Sequence, residues 1–197
     1  MPYDDEKRVI FLHVPKTGGT TVKRLFDIRQ LDDPDPTIRP SPQHLTCELL
    51  RSSIGEDKYW SYYKFAFVRN PWARLVSSYF WRQQLPKKRL VITFEHFVEN
   101  ARSAVISGQY YNQEFADHFI PQIEFTRDAD DVFRFESFED GLRTVAAKLG
   151  VGLGPLEGKP ARPYDRYWEY YDNNTRSIIF KTYREEIEQF AYEFGTL

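Results

Sequence analysis

The stretch RVIFLHVPKTGGTT at residues 8–21 decides the fold. Val9, Ile10, Phe11, Leu12 and Val14 form a short apolar run rich in β-branched and aromatic residues, interrupted by His13, which reads as packed within the strand. A run of this length that is apolar on both faces is the pattern of a strand buried in a parallel sheet. Pro15 has no N–H and ends the ladder. Gly18 and Gly19 permit a tight turn and let backbone N–H groups approach a ligand. Thr20 or Thr21 is placed to cap a helix over residues 22–28. Strand, Lys/Gly/Thr loop and helix N-terminus in that order make an anion site: several N–H donors, a positive dipole end and the Lys16 ammonium. The spacing is not that of a Walker A loop, where the Lys follows the last Gly; here Lys16 precedes Gly18 and Gly19.

A second stretch, YKFAFVRNPWARLVSSYFW at residues 63–81, repeats the strand-to-helix design. Residues 64–68 read as another buried strand, and Arg69 stands at its C-terminal end, where open α/β sheets bind ligands. Asn70 caps the next helix and Pro71 takes its first position. Leu75, Val76, Tyr79 and Phe80 give that helix an apolar face. Ser77 follows Arg69 by eight positions. A guanidinium fork and a hydroxyl are chemically suited to a phosphate, but an Arg and a Ser this far apart mean little on their own. Arg74 and Arg82 read as surface or salt-bridge residues.

Bulk properties narrow the class. A chain of 197 residues suits one domain, and 41% hydrophobic with 17% aromatic content fills a core. A net charge of −2 calls for no nucleic-acid or other polyanionic partner. A single cysteine, Cys47, rules out an intrachain disulfide and fits a reducing compartment. No apolar run approaches a membrane span.

Elsewhere the signals are local. Residues 31–42 hold four prolines among aspartates and read as an extended loop. Ser41 or Thr46 caps a helix that runs to about Ser53, and Gly55 ends it. His44 stands at that helix start, where a positive charge is disfavoured; it stays neutral and able to accept a proton, or is simply solvent-exposed or capping. Residues 93–101 look helical. Gln122 serves an acceptor contact or, more simply, packing. Residues 131–135 read as a third parallel strand, followed by a helix capped by Ser137 and closed by Gly150. Glu136 is a second base candidate or the partner of a structural Arg. Residues 153–164 form a Gly/Pro loop. A long helix starting at Asn173 or Asn174 carries Ile178, Ile179, Tyr183, Ile187, Phe190 and Phe194 on its apolar face. None of the four histidines pairs at metal-ligand spacing, so a metal-free site is expected.

Pro-Lys-Thr-Gly-Gly-Thr together with Phe-Val-Arg-Asn-Pro-Trp-x-Arg-Leu-Val-Ser resembles the two signatures of sulfotransferases that use 3′-phosphoadenosine 5′-phosphosulfate (PAPS). More narrowly, the loop looks like the form in the Golgi-type carbohydrate sulfotransferases of family 2 and their bacterial relatives. The resemblance implies an α/β, P-loop-like three-layer core with a four- to five-stranded parallel sheet flanked by helices, in one domain over residues 1–197. It implies transfer of a sulfuryl group from PAPS to an acceptor hydroxyl, with 3′,5′-adenosine bisphosphate (PAP) as product. Lys16 and His44 are then the catalytic residues, with Glu48 and Glu136 in reserve as bases. Pro15, Lys16, Thr17, Gly18, Gly19, Thr20 and Thr21 hold the 5′-phosphosulfate, and Arg69 and Ser77 the 3′-phosphate. Arg162 contributes from a basic loop over the nucleotide, where this chain has Glu157-Gly158-Lys159 in place of the usual Asn-x-Ser opening. The implied acceptor is a small molecule or carbohydrate. Without a membrane segment, a cytoplasmic enzyme is expected. The competing readings are a phosphate-handling kinase, which needs ATP and Mg²⁺, and a binding relative that has lost turnover.

Overall fold

The apolar run at Val9 forms a strand because every side chain in it is taken out of water. In the computed structural model, which describes residues 3–28, 41–84, 92–110, 116–154 and 166–196, β2 (Val9–Leu12) is fully buried on both faces. It pairs in parallel with β3 (Tyr63–Val68), and β3 pairs in parallel with β4 (Asp131–Arg134). The register sets Leu12 beside Ala66 and Val68 beside Arg134, so the three strands end at one edge of the sheet. The expected sheet is corrected in one respect. Among the described residues it has four strands in the order β1-β2-β3-β4, but β1 (Tyr3–Asp4) runs antiparallel to β2. A tight turn makes that hairpin: the Asp4 carboxylate accepts from the Lys7 N–H at 2.8 Å and pairs with its ammonium at 2.6 Å.

The described residues group into two units. The first comprises Met1–Val68 and Gln122–Gly158, and it holds the sheet. Strand alternation sorts its core. Val9, Phe11, Phe65 and Phe67 face α1 (Gly19–Phe26) and α7 (Phe138–Leu149), where Val22, Phe26, Leu142 and Val145 cover them. Ile10, Leu12 and Ala66 face the other way, onto Cys47 and Leu50 of α2 (Cys47–Ile54) and Tyr59 of α3 (Glu56–Ser61). Helices therefore flank both faces. The short helix α6 (Ile123–Thr126) precedes β4. Of the two cap candidates in the sequence, Thr46 and not Ser41 caps α2 with its side chain, and Gly55 ends it as expected.

The second unit comprises Arg69–Pro121 and Lys159–Leu197 and is helical. It contains α4 (Pro71–Gln83), α5 (Phe94–Ser107), α8 (Asn173–Thr182) and α9 (Arg184–Gln189). Trp72, Leu75, Val76, Phe97, Val98, Tyr167, Ile179, Tyr183 and Ile187 form its core. Asn70 caps α4, accepting from the N–H groups of Trp72 and Ala73, with Pro71 at the first position. The single long C-terminal helix is corrected to two. The chain breaks at Tyr183, whose backbone leaves helical values while its hydroxyl donates to the Phe119 carbonyl at 2.8 Å. The N-cap of α8 is Asp172, in a reciprocal capping box with Thr175.

Among the described residues no helix is long and apolar enough to cross a membrane. The segment 31–40, the basic run 87–89, and Lys159 and Arg162 lie outside the described residues.

Candidate functional site

The loop between β2 and α1 is shaped by backbone geometry. Lys16 has φ 70° and Gly18 φ 88°, both left-handed. Left-handed residues set among right-handed ones give the conformation in which successive N–H groups converge on an anion. For a lysine this costs about 1–3 kcal/mol, which the surroundings must offset. Pro15 and Thr17 are buried, Lys16 is half-buried and Thr20 is exposed. The Thr17 hydroxyl donates to the Val14 carbonyl at 2.8 Å, so its hydrogen is already used inside the loop. What Thr17 can offer an anion is its backbone N–H.

Helix α1 starts at Gly19, three residues before the sequence-based start, and neither Thr20 nor Thr21 caps it. Gly18 is the N-cap and makes no side-chain bond; its carbonyl accepts from the N–H of Thr21 at 2.9 Å and of Val22 at 3.2 Å. The N–H groups of Gly19 and Thr20 have no acceptor within the helix and point out of its N-terminus. The positive end of the helix dipole therefore opens at the loop.

Both glycines are sterically required. A Cβ on Gly18 would meet the Phe138 ring at 2.7 Å and Phe135 at 3.2 Å. A Cβ on Gly19 would fall 1.8 Å from Nε2 of His13. The loop thus rests on three rings. His13 is buried as expected, but its position is more pointed than packing alone: its ring touches Gly19 and lies 4.8 Å, edge-on, from the ring of His44. His44, half-buried, comes from the segment that precedes α2, where its N–H bonds to the Ser41 carbonyl at 2.9 Å. Of the three base candidates, it is the one whose ring meets a residue that touches the loop. Glu48 and Glu136 are both exposed.

Lys23, which the sequence did not single out, extends the basic character of this region. It lies one turn beyond Gly19 on α1, and its ammonium donates to the Gln43 side chain at 3.3 Å. Burial lowers its pKa from the ordinary lysine value.

The second unit holds the other sequence-predicted residues. Arg69, half-buried, follows the last residue of β3, and Ser77 is buried on α4. Of its two sequence readings, Arg74 takes the salt bridge and not the surface. It is 3% exposed, donates to the carbonyls of His118 at 3.0 Å and Ile120 at 3.2 Å, and faces Glu186 at 3.8 Å. The neighbouring Ser78 hydroxyl bonds Nδ1 of His118 at 2.8 Å. This buried polar group was not visible in the sequence, because His118 lies in a stretch with no clear periodicity. A cavity of about 630 Å³ between Trp72, Arg176, Phe180, Tyr192 and Phe194 contains none of the predicted site residues.

Comparison with known proteins gives three results. The profile of the Sulfotransferase family matches residues 1–193. An uncharacterized protein of Archaeoglobus fulgidus is 25% identical over 103 residues, which cover 52% of this chain and 80% of that one. No solved structure matches.

Proposed function

Because the chain belongs to the Sulfotransferase family, we propose that it transfers a sulfuryl group from PAPS to a hydroxyl of a small-molecule acceptor, with a carbohydrate as the first candidate. The fold we assign is the P-loop-like core of such enzymes. The observation that carries the reading is the Lys16–Gly19 loop, with left-handed backbone at Lys16 and Gly18, opening onto the N-terminus of α1. Its donors fit a dianionic group: N–H groups at Gly18, Gly19 and Thr20, an ammonium at Lys16 and a helix dipole.

In this reaction the bond from sulfur to the bridging oxygen of PAPS breaks, and a new bond forms from sulfur to the acceptor oxygen. PAP leaves with the bonding electrons. The transition state is loose by analogy with phosphoryl transfer, so positioning and charge stabilisation supply most of the catalysis. Lys16 places a positive charge where charge grows on the bridging oxygen. His44 accepts the acceptor's hydroxyl proton. The N–H groups of the loop and the hydroxyls of Thr20 and Thr21 hold the 5′-phosphate. Arg69 and Ser77 are assigned the 3′-phosphate, which PAPS carries and ATP lacks; Arg162 is assigned to the same nucleotide.

Calorimetric titration of the full chain with PAP, adenosine 5′-phosphosulfate and ATP with Mg²⁺ tests this. Micromolar PAP binding that requires the 3′-phosphate is expected. Preference for ATP with Mg²⁺ would replace the reading with a kinase. PAP binding without transfer to any acceptor would leave a nucleotide-binding relative.

A further inference from the structure

The face of β2 that carries Val9 and Phe11 continues, by strand alternation, to His13. The rings along this face stack in a column. Tyr63 lies 5.9 Å from Phe65 at 19°, Phe65 lies 5.2 Å from Phe11 at 26°, and Phe11 lies 5.1 Å from His13 at 26°. His13 is the last member, and it is only 7% exposed. Its ring is therefore fixed by the sheet before it meets anything at the site.

Two site elements then rest on that ring. Gly19 lies so close that a Cβ there would fall 1.8 Å from Nε2 and 2.4 Å from Cδ2 and Cε1. His44 stands edge-on at 4.8 Å and 62°. Gly19 belongs to the anion loop and His44 is the proposed base, so one side chain touches both halves of the chemistry. Proteins are close-packed, and an element resting on a fixed ring moves when the ring is removed.

We propose that His13 is a positioning residue for the transfer reaction, setting the distance between the Gly19 end of the anion loop and the imidazole of His44. This rests on the functional reading given above. It assigns His13 no contact with substrate. The imidazole fits because a five-membered ring completes the apolar column while leaving Gly19 just enough room. The role is shared with Gly19: the ring fills the space that a side chain at 19 would need.

That reciprocity supplies the test. The full chain is compared as wild type, Gly19→Ala, His13→Ala and the double variant, by PAP titration and by thermal midpoint. The His44 imidazole signal is followed by NMR, assigned with His44→Ala. Gly19→Ala is expected to weaken PAP binding about tenfold or more, and the double variant to bind about threefold or more tightly than Gly19→Ala alone, since contacting residues couple on this scale. His13→Ala alone is expected to weaken PAP binding and shift the His44 signal. Purely additive losses in PAP affinity, with an unmoved His44 signal, would reduce His13 to packing and overturn the proposal. If His13→Ala does not fold, His13→Leu, which refills the apolar face, takes its place in every comparison. A wild-type chain that does not bind PAP would sink the functional reading instead. The coupling in thermal midpoint and the His44 signal would still decide whether His13 holds Gly19 and His44.

Discussion

The anion loop and the buried face of α4 handle polar side chains in opposite ways. In the loop, the backbone is shaped and only one polar side chain, that of Thr17, is fully buried, its hydroxyl on the Val14 carbonyl: Lys16 is half-buried, Thr20 is exposed, and the N–H groups of the first turn of α1 point outward. Along the buried face of α4, polar side chains are taken inside and most of their groups find partners there, Arg74 Nε being an exception among the described residues. Asn70 caps the helix and donates to the Tyr167 hydroxyl at 3.1 Å and the Glu193 carbonyl at 2.9 Å. Arg74 is held by two carbonyls and Glu186, and Ser78 by His118. The first arrangement carries backbone strain and outward-pointing N–H groups, as the proposed anion site requires, while the second spends most of its donors on holding a fold. Similar residue types thus serve different ends, and burial with partners tells them apart.

The largest test of this contrast is Arg74→Met. It leaves Glu186 buried at 1% exposure without its cation, and it frees two carbonyls. The expected loss is about 3–5 kcal/mol of stability by chemical denaturation. Adding Glu186→Leu should restore much of it, because the penalty comes from the unpaired charge. A stability change under about 1 kcal/mol for Arg74→Met would show that α4's interior polar group is not structural, and the contrast would break.

Lys16→Ala should behave in the reverse manner. PAP release from PAPS in the presence of acceptor should slow by about 10²–10³-fold, the scale for removing one group that stabilises developing charge. The fold should keep its thermal midpoint. Next in size is Lys16→Gly, which relieves the left-handed backbone at φ 70° and should raise stability by up to about 1 kcal/mol while turnover is lost. A Lys16→Gly protein that is less stable than wild type would mean the lysine side chain holds the loop together, as Arg74 holds α4.

How much of this could be read from the sequence follows from how far each signal reaches along the chain. β2, β3, the Asn70-Pro71 start of α4, and Thr46 as one of two cap candidates for α2 were legible, because a strand's apolar run, a proline and a cap act within a few residues. The loop was legible for the same reason. Details that depend on distant partners were not. For Arg74 the sequence left a surface residue and a salt-bridge residue both open, and its partners at His118, Ile120 and Glu186 decide for the second. The break at Tyr183 depends on the carbonyl of Phe119. The start of α1 depends on Gly18 fitting under Phe138, which no threonine cap could signal. The antiparallel β1 is two residues long, too short to carry a periodicity. Even His13 read as packing, since Gly19 and His44 meet its ring only in three dimensions.

The smallest effect concerns Lys23, a cation near the loop that burial disfavours and whose ammonium donates to the Gln43 side chain. Its pKa is lowered by desolvation, so the folded chain releases this proton more readily than the unfolded chain does. In the window just below the ordinary lysine value of 10.5, the unfolded state therefore binds more protons, and stability from this group rises with pH. Below that window the ammonium is charged in both states and its desolvation opposes folding. Lys23→Met removes the titration, so the wild type should gain on the variant as pH rises toward 10.5, read as the difference in thermal midpoint. Addition of PAP at neutral pH should shrink the wild type's deficit, because a bound dianion favours the charged lysine. A difference that stays flat with both pH and PAP would mean that Lys23 is compensated within the fold, as Arg74 is, and does not belong to the electrostatics of the anion loop.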